Sequence, residues 1–291
     1  MLEHRFGLSR QSVGGWFKRY FKRNGLTLVF GVVMTCGLYW IIWTIGAWWW
    51  LVAAAAFFVI SVVLGQLAPV LILPLFYKIT RLEDQTLADR LRSISQGTGL
   101  NIEGVYRMAM SDETAKANAM LAGLGSTRRV IFGDTLLDGF SEEEIEVIFA
   151  HEVGHHVHRH IPKMILAGLI YSTVGFWVAD RLLGGWVTGI EGQLDYASFP
   201  VYTLPALTLV LTLFGQLLEP LQNVISRFFE RQSDWYALER TETPETYRSA
   251  FHKLARLNKS DPDPHPVEVF LFHSHPPIAE RLAMADRWRR R

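Results

Sequence analysis

The stretch Phe149–His160, FAHEVGHHVHRH, places five histidines within ten residues, with one glutamate among them. Upstream, Ser141 followed by Glu144 has the pattern of a capping box, so a helix is expected to begin at Glu142. Ile145, Ile148 and Phe149 give it an apolar face. His151 and His155 project from one side of that helix, with Glu152 one step round. This is the HExxH arrangement. Two imidazoles suit one zinc ion, and the carboxylate is placed to take the proton of a water the metal has acidified. Gly154, between the two histidines, leaves room for another element to come close. His156 and His160 point elsewhere on the helical wheel and read as surface or outer-shell histidines. His158 shares the face of His151 but lies two turns away, too far for a compact tetrahedral site. The longer pattern HExxHxxGxxH does not continue, because its glycine and histidine positions hold His158 and Ile161.

A third ligand must come from elsewhere, and NVISRFFERQSD (223–234) is the best source. Asn223, Arg227, Glu230 and Asp234 fall within about 60° of one another on a helical wheel. A narrow polar stripe among Val224, Ile225, Phe228 and Phe229 needs polar partners. Glu230 is expected to complete the zinc site. Asp234, one turn on, would accept from the free nitrogen of a ligand histidine. Arg227 would balance the extra carboxylate or bind substrate. The long gap between His155 and Glu230 accommodates a membrane hairpin.

Composition explains that hairpin. The 291 residues are 49% hydrophobic, with ten tryptophans, which is more apolar than an ordinary soluble domain of this length. Runs near 25–46, 47–68, 164–184 and 201–220 each approach the roughly 20 residues that span a bilayer. Trp43, Trp48, Trp49 and Trp50 crowd the junction of the first two, as aromatic rings do at a headgroup boundary. Asp180 and Glu219 lie near span ends, where solvated interfacial placement is expected. Cys36 is the single cysteine, which excludes an intrachain disulfide, and it is expected to pack in its apolar run.

Lysines and arginines set the expected orientation. Residues 1–24 carry Arg5, Arg10, Lys18, Arg19, Lys22 and Arg23 against Glu3, whereas 185–200 has no Lys or Arg. The N-terminus, the 77–163 region and the C-terminus are therefore expected in the cytoplasm. A net charge of +1 gives no field for nucleic acid. In the polar part, residues 84–97 read as an amphipathic helix stopped by Gly97. Residues 102–110, 117–123 and 129–134 read as strands, with GLGST between the last two, and 261–266 as a proline-broken loop.

HEVGH, the stripe NxxSRxxExxxD at 223–234 and SHPP at 274–277 together resemble the integral-membrane zinc metallopeptidases of the type I CAAX prenyl endopeptidase family. LEHRFGLSRQSVGGWFK (2–18), LPLFYKITRLED (73–84) and the block running from ANAMLAG to RRVIFGDTLL (117–137) are similar to it too, so the resemblance covers nearly the whole chain. The heat-shock-type membrane zinc proteases are close relatives, but the N-terminal part fits them less well. The resemblance implies zinc on His151, His155 and Glu230, with Glu152 as base. It implies that the strand around Asn118 and Ala119 pairs with an extended substrate. It gives His275 a bond to substrate or to the developing oxyanion, and Arg281 the anchoring of Glu230 or Asp234. Met120 stands where the family usually has an aromatic. On the same resemblance, the chain would be expected to open at a loop inside the family's N-terminal membrane region and to lack its opening spans.

The expected fold is therefore a mainly α, polytopic membrane protein. Four transmembrane helices accompany a cytoplasmic α+β zincin-type domain with a small sheet. Its segments are 1–76 (basic end and two spans), 77–163 (catalytic region), 164–220 (membrane hairpin) and 221–291 (third ligand and SHPP loop). The expected function is zinc endopeptidase, with one Zn²⁺ per chain. Substrates would be prenylated CAAX-type peptides or membrane-protein quality-control targets, with the bilayer as the other partner. The rivals are a non-catalytic zinc scaffold, which would need no Glu152, and a transporter or channel, which would need more intramembrane acids.

Overall fold

The computed structural model describes residues 2–100, 102–122 and 128–291. The GLGST connection (123–127) lies outside the described residues. In chain order the elements are α1 (Leu2–Arg5), α2 (Val13–Ile45), α3 (Trp49–Leu67), α4 (Leu73–Phe76), β1 (Ile79–Arg81), α5 (Gln85–Ser95), β2 (Gly104–Met108), β3 (Ala119–Ala122) and β4 (Arg129–Gly133). There follow α6 (Asp134–Gly139), α7 (Glu142–Val157), α8 (His160–Glu191), α9 (Leu204–Thr241), α10 (Pro244–Asn258), α11 (Pro266–Phe272) and α12 (Ile278–Arg289). They gather into two compact units. One comprises Met1–Ser12, Gln66–Ile161 and Pro220–Arg291, the other Val13–Gly65 and Pro162–Glu219.

The first unit holds the sheet, in the order β1-β2-β4-β3. β2 and β4 are parallel, and β1 and β3 flank them antiparallel. Val105, Val130 and Phe132 face a core shared with Leu91 of α5, Val147 and Phe149 of α7, and Leu238 of α9. Residues 1–12 and 66–76, expected to belong with the membrane spans, group with this unit. Backbone bonds tie Arg10 N to Glu113 O and Ala115 N to Leu8 O, holding the N-terminal segment against the loop before β3. Asp134, at the end of β4, tightens the same loop. It accepts from the amides of Met110 and Ser111 and from the Ser111 hydroxyl. The loop leading into the edge strand β3 is thus held by both the N-terminal segment and Asp134, at the end of the sheet where β2 and β4 finish.

α7 begins as its sequence dictates. Ser141 Oγ accepts from Glu144 N, and the Glu144 carboxylate accepts from Ser141 N. That carboxylate also takes Ser249 Oγ and Lys253 Nζ from α10, which pins the start of the helix. α5 ends at Ser95, and Gly97 follows with φ +80, the left-handed conformation that favours glycine.

The second unit is apolar helix. Three helical stretches among the described residues are long and apolar enough to cross a membrane: Val13–Phe76, His160–Glu191 and Val201–Thr241. The first, at 64 residues, would be roughly 96 Å long as one straight helix. A tight turn at Gly46–Trp48, with Gly46 at φ +68, divides it. Tyr39, Ile42, Trp49, Phe176, Leu183 and Leu207 form the buried cluster. Two expectations fail here. Cys36 is exposed on α2, because it lies off the face that packs. Asp180 is not at a solvated interface but buried, 2% exposed, because its carboxylate finds donors within the unit. Oδ1 accepts from Trp49 Nε1 at 2.6 Å and from the Tyr196 hydroxyl at 2.8 Å, and Arg181 lies against Oδ2.

Replacing Asp180 by Ala strands the buried Trp49 indole and the half-buried Tyr196 hydroxyl, at a cost on the order of 3 kcal/mol. We expect a clear fall in the thermal unfolding midpoint of the detergent-solubilised protein, and a smaller one for Asp180→Asn.

Candidate active site

Two helices build the site. α7 presents His151, Glu152 and His155. α9 runs unbroken past Pro220 and turns its polar stripe inward, with Asn223, Arg227, Glu230 and Asp234 all buried. The helices meet at Gly154. A Cβ there would stand 2.8 Å from the Ser233 Cα, and backbone cannot swing aside as a side chain can. Glycine therefore sets how closely Glu230 approaches the two imidazoles.

His151 Nε2 lies 3.2 Å from His155 Nε2 and 3.3 Å from Glu230 Oε2, and His155 Nε2 lies 3.3 Å from Glu230 Oε1. Ligand atoms around a tetrahedral zinc, each about 2.0–2.1 Å from it, stand roughly 3.3–3.4 Å apart. The donor set therefore fits the ion. Two facing imidazole nitrogens also cannot both donate to each other. Glu230 Oε2, itself buried, accepts no well-aligned hydrogen bond among the described residues, although His275 Nδ1 is 2.8 Å away. A cation between these lone pairs would satisfy all of them.

Outside the three atoms, Asp234 Oδ1 is 2.9 Å from His151 Nδ1. Asp234 is itself gripped by Arg281 of α12, whose Nε donates to Oδ2 at 2.9 Å and whose guanidinium lies over the Phe251 ring. Of the two carboxylates Arg281 was expected to anchor, its hydrogen bonds go to Asp234. Burial disfavours a charge on His151, but the bonds to Asp234 and Glu230 outweigh it and raise its pKa to about 9. A field that holds a proton there also attracts a divalent cation. Burial likewise pushes the Glu152 carboxyl up, with His151 and His155 pulling the other way.

His151, Glu152, Glu230 and Arg281 line a cleft of ≈ 560 Å³. Asn118 and Ala119 form one wall at the start of β3, whose outer edge pairs with no strand among the described residues. Residues 273–277 form another, with the His275 side chain 63% exposed to the cleft. Leu136, Ile148 and Leu254 give it an apolar floor.

Arg227 departs from its expected place. It donates to the carbonyls of Val269 and His273, and Asn223 Nδ2 donates to Leu271 O. Carbonyls in the last turn of a helix lack intrahelical donors. Asn223 serves that of Leu271, while Arg227 bonds His273 just past the helix and joins the His273 amide on Val269 O. Arg227 thus steadies the segment carrying His275 and does not balance Glu230 or Asp234. The helical wheel does not extend to His158 and His160, because α7 ends at Val157. His158 is its cap residue, and His160 opens α8. His156 Nδ1 meets Arg128. His160 is buried and contacts His155, which fits the outer-shell reading and not the surface one.

Residues 81–289 match the family described as Peptidase family M48. The chain belongs to that family. M48 peptidases are zinc-dependent, and His151, His155 and Glu230 form a group able to hold the metal. Residues 1–78 match a second description, "CAAX prenyl protease N-terminal, five membrane helices". With its long apolar helices, this M48 member is an integral membrane protein. An uncharacterized metalloprotease of Bacillus subtilis, YhfN, is 30% identical over 97% of the chain and 66% of its own length. A CAAX prenyl protease 1 homolog of Arabidopsis thaliana is 28% identical over 98% of the chain and 67% of its own. The crystal structure of S. mikatae Ste24p superposes with a TM-score of 0.86 at 25% identity, covering 98% of this chain and 70% of that one. The chain thus spans about two thirds of the length of these curated relatives. The resemblance expected from the motifs holds.

Two outcomes follow from this geometry. Gly154→Ala should push α9 off α7 and weaken zinc binding at least about tenfold by chelator competition, comparable to the loss of an outer-shell partner. Protein stripped of metal should carry a proton on His151 below about pH 9. Zinc must displace that proton, so apparent affinity falls as pH drops below this value. Calorimetry in buffers of differing ionisation enthalpy should record the release.

Proposed function

We propose that this chain is a membrane-embedded zinc endopeptidase that cuts extended polypeptides. One zinc ion per chain, held by His151, His155 and Glu230, would supply Lewis acidity that makes water nucleophilic near neutral pH. Glu152 takes the proton of the attacking water and hands it to the departing amine nitrogen. Its upward-shifted carboxyl suits both transfers. Asp234 accepts the Nδ1–H of His151, keeping Nε2 free as a ligand, and Arg281 holds Asp234 in place. His275 donates from the open side of the cleft to substrate or to the oxyanion as charge develops. Substrate backbone adds to the edge of β3 at Asn118 and Ala119, so recognition is by main chain more than by side chain. The observation carrying this reading is the triangle of 3.2–3.3 Å separations, with Glu152 in the adjoining cleft wall.

The apolar segments supply four spans: α2, α3, and the apolar parts of α8 and α9. The basic residues favour a cytoplasmic N-terminus, active site and C-terminus. In segments, 13–65 and 162–219 anchor the chain, while 66–161 and 220–291 supply the chemistry. The names of the Arabidopsis relative and of CAAX prenyl protease 1 from Saccharomyces cerevisiae, 28% identical over 78% of the chain, favour prenylated C-terminal peptides as substrates.

Glu152→Gln should retain one zinc per chain while peptide cleavage falls about 10²–10⁴-fold. Metal analysis and a fluorogenic peptide assay measure the two. A variant that still cleaves at the wild-type rate removes Glu152 from the mechanism, and a wild type that binds zinc but cuts nothing restores the scaffold. Running prenylated and unprenylated peptides side by side decides substrate class: preference for the prenylated one is expected, and equal rates would point to general proteolysis.

A further inference from the structure

His155 has a ring nitrogen that the zinc reading leaves unused. Its Nδ1 lies 3.0 Å from His160 Nδ1, and His160 Nε2 lies 3.0 Å from Gln232 Oε1. We infer that His160 and Gln232 are positioning residues that fix the tautomer of His155 and so aim its Nε2 lone pair at the cation. The inference rests on the metal-site reading above.

The proton placement follows from the donor inventory. A neutral imidazole has one N–H and one lone pair. Gln232 Oε1 only accepts, so the proton of His160 sits on Nε2. His160 Nδ1 is then an acceptor, and His155 must donate from Nδ1. That leaves His155 Nε2 as a lone pair, beside His151 Nε2 and Glu230 Oε1. The reverse amide orientation would run the chain backwards and put a hydrogen on His155 Nε2, closing it to metal. The amide oxygen of Gln232 and the binding of a cation thus require each other.

Packing supports the same role. His160 is 1% exposed, and its ring stacks on Phe229 at 4.2 Å between centroids and 14° between planes. His158 lies nearly parallel to it at 5.6 Å. Stacking fixes the ring plane, while Gln232 fixes the proton. The connection is abrupt. Arg159 takes φ +55, a left-handed conformation uncommon outside glycine, and this corner between α7 and α8 brings His160 back under His155. His151 has Asp234 for the same purpose, so both imidazole ligands are oriented from α9, one by a carboxylate and one by an amide acting through a second imidazole.

The test uses the full-length, detergent-solubilised protein with zinc or cobalt(II) as the probe. His160→Phe keeps the stacked ring and removes the acceptor. His160→Asn puts an amide oxygen near the Nδ1 position. We expect His160→Phe to weaken zinc binding about 10–100-fold by chelator competition and to alter the visible spectrum of the cobalt form. His160→Asn should recover most of the affinity. On the partner side, Gln232→Leu should weaken binding and Gln232→Glu, which keeps an acceptor, should not. The Gln232 pair decides the matter if His160→Phe does not fold. Wild-type affinity and spectrum in His160→Phe would overturn the inference, as would equal losses in His160→Phe and His160→Asn, which would mark packing alone. A wild type that binds neither metal overturns the metal site itself, and is told apart because every variant then matches it.

Discussion

The close approach of α7 and α9 at Gly154 and Ser233 is the constraint on which the site depends. Two imidazoles on one helix can hold a cation only loosely. The third donor is a short carboxylate side chain, and it reaches them only if its helix backbone comes almost into contact. A Cβ at position 154 would meet the Ser233 backbone at 2.8 Å. No rotamer change relieves such a clash. Sequence thus enforces geometry through the absence of a side chain. The capping box at Ser141, locked to α10 through Glu144, fixes where α7 begins and hence which way His151 and His155 face.

Charge makes the same arrangement self-consistent. Glu230 and Asp234 are buried one turn apart on α9, at 5% and 0% exposure, with Glu152 close to both imidazoles. Buried carboxylates in such density need compensating charge. Arg281 supplies one positive charge, aimed at Asp234 and backed by the Phe251 ring. With both imidazoles neutral, three carboxylates and one guanidinium leave two negative charges, the number a divalent cation balances. The pull that raises the His151 pKa to about 9 is the same imbalance felt by a proton.

Much of this was legible in the sequence because it rests on local periodicity. A four-residue spacing on a capped helix places His151 and His155 together whatever the rest of the fold does. The polar stripe at 223–234 marked Glu230 and Asp234 because polar groups on an apolar helix need partners. What the sequence hid depends on backbone direction. His160 was assigned by a wheel that no longer applies once α7 ends at Val157, and nothing in the letters VHRH announces a left-handed Arg159. Asp180 was placed at an interface by its position along a span, yet its burial depends on Trp49, 131 residues away. Arg227 was read with its neighbours on the stripe because one stripe suggests one purpose. In the fold, that stripe faces two things.

That division gives the stripe its logic. Glu230 and Asp234 meet α7 and the imidazoles. Asn223 and Arg227, one to two turns earlier, meet the carbonyl end of α11 at Val269, Leu271 and His273. Helix carbonyl ends are the weakly satisfied part of any helix, so a guanidinium and an amide from α9 fix the exit of the chain there. That exit leads directly into Ser274, His275 and the two prolines, which restrict the backbone before α12 begins. His275 therefore stays exposed to the cleft while its backbone is held from one side by Arg227 and from the other by Pro276 and Pro277. A single helix thus carries the third metal donor and braces the segment that brings His275 Nδ1 within 2.8 Å of Glu230 Oε2.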